Sequence, residues 1–356
     1  MCYVFIFGML YLFEKHLGEE AMITVSLCMI VKNEEKVLAR CLDSLVSLVD
    51  EMVIVDTGST DRTREIAAGY GARVYEFDWV DDFSAARNFA FSKACCEYIY
   101  SADADEVLTE ENQKKFRILK ESLLPEIEIV QMKYGNQLEH GSVYNFDEEY
   151  RPKLFKRKRD FVWEEPIHET VRLEPVVYDS DIVVSHLPEN SHAKRDFSVF
   201  AKCFSRGERI SKRLHNFYAR ELMIAGERED FIQAEPFFEA SAADTERSRE
   251  EVLEACCVMA RAARLTEDVA GILKYTSKVL AEGANSEICC ELGYFHEAAG
   301  DYEEAVIWYY NAAYEVQPIL KLKAGKEEPL EGLIRCYEKL GQEEQAESYR
   351  RELEQK

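Results

Sequence analysis

Tyr98-Ile99-Tyr100-Ser101-Ala102-Asp103-Ala104-Asp105-Glu106 begins as an apolar run and ends in three carboxylates. The apolar half reads as a buried strand. Carboxylates gathered where a central strand ends are costly unless a cation meets them, and in an open α/β sheet that edge is where ligands bind. Asp103 and Asp105 are two residues apart, so an extended segment would turn both to the same side. Two hard oxygen ligands on one side suit Mg²⁺ or Mn²⁺, which keep further positions for water and phosphate oxygens. Alone, such a D-x-D reads better as an acidic loop. Its neighbours decide otherwise.

Upstream, strands alternate with helices, which predicts a parallel, doubly wound sheet. Residues 22–31 form a β-rich run followed by Lys32-Asn33-Glu34-Glu35. Residues 35–49 have helical periodicity through Val37, Leu38, Cys41, Leu42, Leu45 and Leu48. A second strand, 51–55, runs into Asp56-Thr57-Gly58-Ser59-Thr60-Asp61, where Gly58 permits a tight turn and Ser59, Thr60 or Asp61 can cap a helix over 62–70. A third strand covers 73–77. Asp82-Phe83-Ser84 then opens a helix over 85–94 with Arg87 and Asn88 in its first turn.

Downstream, residues 123–190 change to shorter strands and hairpins: 127–134, 151–156 with the turn Arg157-Lys158-Arg159-Asp160, Phe161-Val162-Trp163 leading to Pro166-Ile167-His168-Glu169, and 182–186 ending in His186. The basic residues 156–159 read most simply as a solvated turn, with steering of an anionic donor or contact with a membrane lipid surface as the alternatives. From 191 the chain is helical to its end. The segment 291–313 resembles a tetratricopeptide repeat, with Leu292-Gly293, Gly300, Tyr302, Ala305, Tyr309 and Ala312 at the expected offsets. A second copy spans Leu333, Tyr337, Gly341 and Ala346, and the small position is expected again at Ala234 and Ala270 in two degenerate copies. Residues 318–329 interrupt the spacing as an insertion.

A chain of 356 residues exceeds one ordinary core, and 47% hydrophobic content with 19 Phe and 19 Tyr can fill two. The net charge of −24 excludes broad nucleic-acid binding, which needs clustered Lys and Arg. Like charges 4 Å apart cost about 4 kcal/mol at an effective dielectric of 20, so two carboxylates beside a diphosphate require a metal between them. Eleven Cys include the adjacent pairs Cys95-Cys96, Cys256-Cys257 and Cys289-Cys290, without a C-x-x-C frame. They read as reduced, mostly buried thiols of a cytoplasmic protein. Residues 1–21 open on thirteen apolar positions, too short to span a bilayer and without signal-peptide features. They are expected to be either an amphipathic or packed extension or a stretch upstream of a start at Met22.

The segments S-L-C-M-I-V-K-N-E-E (26–35), V-D-E-M-V-I-V-D-T-G-S-T-D (49–61), D-F-S-A-A-R-N (82–88) and D-A-D-E (103–106) together resemble the family-2 glycosyltransferases of the GT-A fold. The layout, with helical repeats after the catalytic domain, is similar to that of the sublancin-type peptide S-glycosyltransferases. The resemblance implies an α/β, Rossmann-like GT-A nucleotide-sugar-binding domain over 22–190 and an all-α tetratricopeptide-like domain over 191–356. It implies a donor site made by Asn33, Glu34, Asp56, Arg87, Asn88, Asp103, Ala104 and His168. Within that set Asp56 would meet the nucleotide base and Arg87 would support the donor. Asn33 and Glu34 serve equally as helix caps, Asn88 fits a loop-positioning role, and His168 is equally a core histidine. Asp103, Asp105 and His186 would hold the Mn²⁺ or Mg²⁺, Glu106 would orient the aspartates, and Glu169 would be the catalytic base.

The expected activity is inverting transfer of a hexose from a nucleotide-diphosphate sugar, UDP-linked by preference, to a polypeptide side chain. A lipid or cell-envelope saccharide acceptor is the alternative. A repeat scaffold with an inactive transferase domain is the rival from another class, and the repeats also offer a face for homodimerisation.

Overall fold

The computed structural model describes residues 22–135, 149–172, 176–187 and 193–354. Residues 1–21, with the apolar extension, lie outside the described residues. The chain divides into two compact units, Met1–Asn190 and Ser191–Lys356.

The first unit is built on strands β1 (Val25–Val31), β2 (Glu51–Asp56), β3 (Arg73–Glu76), β4 (Tyr98–Ser101), β5 (Glu106–Val107), β6 (Ile129–Gly135), β7 (Glu149–Lys156) and β10 (Val177–His186). They form one sheet in the order β3-β2-β1-β4-β7-β6-β10-β5, and β8 (Trp163–Glu164) pairs with β9 (Thr170–Val171) in a small separate ribbon. Strands β1 to β4 are mutually parallel where they pair, while β7 is antiparallel to both β4 and β6. Since β6 and β10 are parallel and β5 is antiparallel to β10, six strands run one way and only β5 and β7 oppose them. The carboxyl ends of β1, β2, β4 and β10 therefore lie on one edge.

The β1 residues Val25, Leu27, Met29 and Val31 enter a core with α1 (Leu38–Leu45), α2 (Thr63–Gly69) and α4 (Glu110–Ser122). Cys28 and partly buried Ile30 face the other way, toward Ala90 and Phe91 of α3 (Phe83–Lys93) and Trp163. This period-two division makes the sheet a central layer covered on both faces. Four expected strands stand close to their expected limits. The helix α4 and the two-residue β5 carry too little sequence signal to be foreseen.

The second unit contains α5 (Ala193–Ser205), then helix pairs α6 (Lys212–Ala225) with α7 (Arg228–Ala243), α8 (Arg249–Leu265) with α9 (Val269–Glu282), α10 (Ser286–Ala298) with α11 (Tyr302–Tyr310), and α12 (Glu327–Lys339) with α13 (Glu343–Glu354). The first helices of successive pairs pack on one another, as in a tetratricopeptide-like stack. Ala234, Ala305 and Ala346 are fully buried at the small position, whereas Ala270 is exposed. Gly271, one residue later, takes that place against Ala263, because a Cβ there would approach the Ala263 methyl to 2.9 Å. The insertion folds back on α10: the buried Glu287 carboxylate accepts from the backbone N–H groups of Ile319, Leu320 and Lys321 at 2.7–3.1 Å. Among the described residues no helix is long and apolar enough to cross a membrane.

Candidate functional site

Two loops leave the ends of β1 and β2 side by side, because Val31 pairs with Asp56. They are laced together. The Asn33 N–H donates to Ser59 Oγ at 2.9 Å, the Thr60 N–H donates to Asn33 Oδ1 at 2.8 Å, and the Glu34 N–H donates to Thr63 Oγ1 at 2.7 Å. Asn33 takes a left-handed φ of 57°, a conformation asparagine tolerates better than most residues, and it caps no helix. Buried Asp56 accepts from its own turn, from Gly58 N–H at 3.2 Å and Ser59 N–H at 3.0 Å. Gly58, at φ 99°, makes that turn feasible. Arg62 stands at the N-cap without a side-chain cap, and Asp61 just before it accepts from the Thr63 N–H at 2.9 Å.

The end of β4 corrects the expectation of an extended D-x-D. Residues 103–106 close a turn, with the Glu106 N–H donating to the Asp103 carbonyl at 3.2 Å. The cause is β5, which must start at Glu106 to pair with His186. Asp103 and Asp105 consequently engage different partners. Asp103 Oδ1 accepts from Arg87 Nη2 at 2.8 Å, and Asp105 Oδ2 lies 3.1 Å from His186 Nε2. Ala104 is buried at the crest of the turn. Glu106 points away from both, to Lys153 Nζ at 2.5 Å.

Arg87 joins the edge together. Its Nε donates to Glu169, its Nη1 donates to Ser101 Oγ at 3.2 Å, and its guanidinium lies 5.1 Å from the Trp163 ring. Asp82 caps α3 through the Ala85 N–H at 3.0 Å and so holds Arg87 in the first turns. Asn88, next on the helix, exchanges two hydrogen bonds with the Trp163 backbone at 2.8 and 2.9 Å. It positions the loop that holds Arg87's aromatic platform. His168 stands at φ 47°, immediately before Glu169.

Burial opposes the charge on Arg87, but Asp103 and then Glu169 outweigh it and raise its pKa above the usual arginine range. Burial would likewise raise Asp103, yet Arg87 and Lys153 outweigh it and hold that carboxyl well below the usual carboxylate range. For Glu106 burial wins over Lys153, and its pKa is raised. The side chain of Asp103 is 38% exposed, so a ligand can reach it, against 12% for Asp105 and Arg87, 11% for Glu169 and 20% for His186.

Arg87, Asp103, Asp105, Glu169 and His186 thus come together, while Asn33, Glu34 and Asp56 form a second group along the same edge. Lys153, Ser101 and Trp163 were not foreseen in the site. A lysine in the strand R-P-K-L-F-K (151–156) was the available signal for the first of them. In the basic turn Lys158 and Arg159 are exposed, as expected, while Lys156 donates to the Pro125 carbonyl, Arg157 donates to the Cys96 carbonyl, and Arg159 pairs with Glu128.

The family model "Glycosyl transferase family 2" matches residues 26–170, the span holding all these groups but His186. Residues 26–170 are a family-2 glycosyltransferase domain. A TPR repeat-containing protein of Synechococcus elongatus is 40% identical over 151 residues, 42% of this chain and 36% of that protein. The SPbeta prophage-derived glycosyltransferase SunS of Bacillus subtilis is 38% identical over 95 residues, 26% of this chain and 22% of that protein. The chain therefore spans about a third or less of these relatives. Among solved structures, glucosyl-3-phosphoglycerate synthase of Mycobacterium tuberculosis with Mn²⁺, UDP and glucosyl-3-phosphoglycerate is 17% identical over 53% of this chain and 82% of that one, with a TM-score of 0.38. The glycosyltransferase domain has a GT-A-like mixed sheet, and the second unit fits tetratricopeptide-like repeats.

Proposed function

We propose that the chain is a metal-dependent, inverting glycosyltransferase that moves a hexose from a UDP-sugar to a polypeptide side chain. The observation that carries this reading is Arg87 joined at once to Asp103 and Glu169, with the Asp105–His186 pair across the same turn. Carboxylate oxygens and one imidazole nitrogen are a donor set that Mn²⁺ or Mg²⁺ accepts, so Asp103, Asp105 and His186 fit a divalent ion. Bound there, it would neutralise charge on the leaving diphosphate.

The protein's own residues do the rest. Asp56 and the laced loops of Asn33 and Glu34 form the wall for the nucleotide. Arg87 orients Glu169, and Glu169 takes the proton of the acceptor group as the new glycosidic bond forms. No side chain is assigned the role of a covalent nucleophile, which leaves inversion as the outcome. SunS, a glycosyltransferase by name, supports the transfer reading, and a TPR-named relative supports the presence of repeats.

The test is hydrolysis of UDP-sugars by the full chain, with the sugars first screened by thermal shift. Hydrolysis that requires Mn²⁺ or Mg²⁺ and disappears with EDTA is expected. Absent hydrolysis would favour the scaffold reading, and hydrolysis undiminished by EDTA would refute the metal assignment.

A further inference from the structure

Lys153 and Glu106 form an ion pair almost entirely removed from water: their side chains are 8% and 2% exposed, with Nζ and Oε1 2.5 Å apart. A buried pair of this kind contributes little net stability, because losing two hydration shells offsets the attraction. Its position is more informative. Lys153 precedes Leu154 in β7, and Leu154 pairs antiparallel with Tyr100, so Lys153 lies beside the end of β4. Glu106 is the last residue of the Asp103 turn and the partner of His186 in β5. The Tyr134 ring lies 5.2 Å from Lys153 Nζ and 5.2 Å from the His186 ring, which closes the group. The second Glu106 oxygen, Oε2, is buried and has no hydrogen-bond partner among the described residues.

We infer that Lys153 is a positioning residue for the metal-binding turn, acting through Glu106. This deepens the proposed function and rests on its reading of Asp103, Asp105 and His186. Besides the Asp103–Arg87 and Asp105–His186 contacts, three ties hold the turn. The Leu187 N–H donates to the Asp105 carbonyl at 3.0 Å, Cys41 Sγ lies 3.5 Å from the Asp103 carbonyl, and Glu106 reaches Lys153. The last anchors a side chain of the turn to β7, in the middle of the sheet. Lys153 also keeps Glu106 from serving as a third ligand: the carboxylate is drawn to β7, and the turn presents two carboxylates to the ion.

The experiment compares the full chain with K153M/E106Q, a double variant that removes one charge of each sign and leaves the net charge unaltered. Mn²⁺ is titrated in saturating UDP, and free Mn²⁺ is read by electron paramagnetic resonance. Loss of a group that orients metal ligands typically weakens affinity by about tenfold or more, which is the result expected here, and a change below about fivefold would overturn the inference. Thermal unfolding without metal checks that the variant is folded. E106D is the second variant. It keeps both charges but shortens the tether by one methylene, so it too is expected to weaken Mn²⁺ beyond that limit, and parent-like affinity would overturn the inference. If the unaltered chain binds no Mn²⁺ with UDP, the metal reading itself fails and takes the inference with it.

Discussion

A guanidinium offers its donors in a fixed plane, and Arg87 directs that plane to Asp103, Ser101 and Glu169 while stacking near Trp163. Lysine has neither the plane nor the number of directed donors, so the residue type matters as well as the charge. Two substitutions separate the roles proposed around it. Asp105→Asn keeps the shape of the turn but removes an anionic ligand, and transfer is expected to fall by more than about 100-fold, beyond the usual loss for an indirect partner. Steady-state rates in metal-buffered solution check this, and most of the activity surviving would refute the assignment. Glu169→Gln is expected to lower turnover by about 10²–10⁴-fold, the usual worth of a general base, with donor affinity nearly unaltered. Equal losses in turnover and binding would make Glu169 a binding residue. Much of this set was legible beforehand because each residue lies within a few positions of a strand end or helix start. The turn at 103–106 was not, since it follows from the pairing of Glu106 with His186, 80 positions away in the chain.

Helix α11 shows how the repeats are locked. The buried Tyr309 ring lies between two glycines of neighbouring helices: a Cβ on Gly293 would stand 2.5 Å from it, and one on Gly332 would stand 2.6 Å from it. The Tyr309 hydroxyl donates to Glu297 at 2.7 Å, and Arg335 holds the same carboxylate at 2.8 and 2.9 Å, so the ring has nowhere to withdraw. Gly332→Ala should therefore destabilise the protein. Overpacking costs about 1–3 kcal/mol, whereas the gain in helix propensity is at most about 1 kcal/mol. A lowered urea midpoint measures the net loss, and a raised one would mean that the ring can shift. Gly293 stands in the recognisable repeat pattern, but Gly332 has no sequence signal of its own, because its partner is fixed only by stacking. The misplaced Ala270 has the same origin: adjacent Ala and Gly both satisfy a small position, and only packing against Ala263 selects Gly271. Helix α4 escaped notice for a different reason. Its buried side includes Phe116 and Leu119 within a mostly polar sequence whose other apolar residue, Ile118, is exposed.

At the scale of the whole molecule, the question is why a transferase domain with its own two-faced core is followed by four helix pairs. Tetratricopeptide-like stacks expose a concave face suited to extended chains, and we propose that this one captures a polypeptide acceptor. A thiol acceptor would ask less of Glu169 than a hydroxyl, since a free Cys has a pKa of about 8.5 and is already partly thiolate at neutral pH. Removing the repeats tests the idea, and the structure decides where to cut. His215 is fully buried in α6, with Nδ1 2.8 Å from Glu254 of α8, so ending the chain there would split a helix and strip a partner from a buried pair. The boundary after Asn190 avoids both. A chain ending at residue 190, shown folded by circular dichroism, is expected to keep metal-dependent hydrolysis of its UDP-sugar and to lose transfer to a polypeptide. Undiminished transfer would leave the repeats a role outside substrate capture, such as dimerisation. Loss of hydrolysis as well would mean that the donor site needs residues beyond 190.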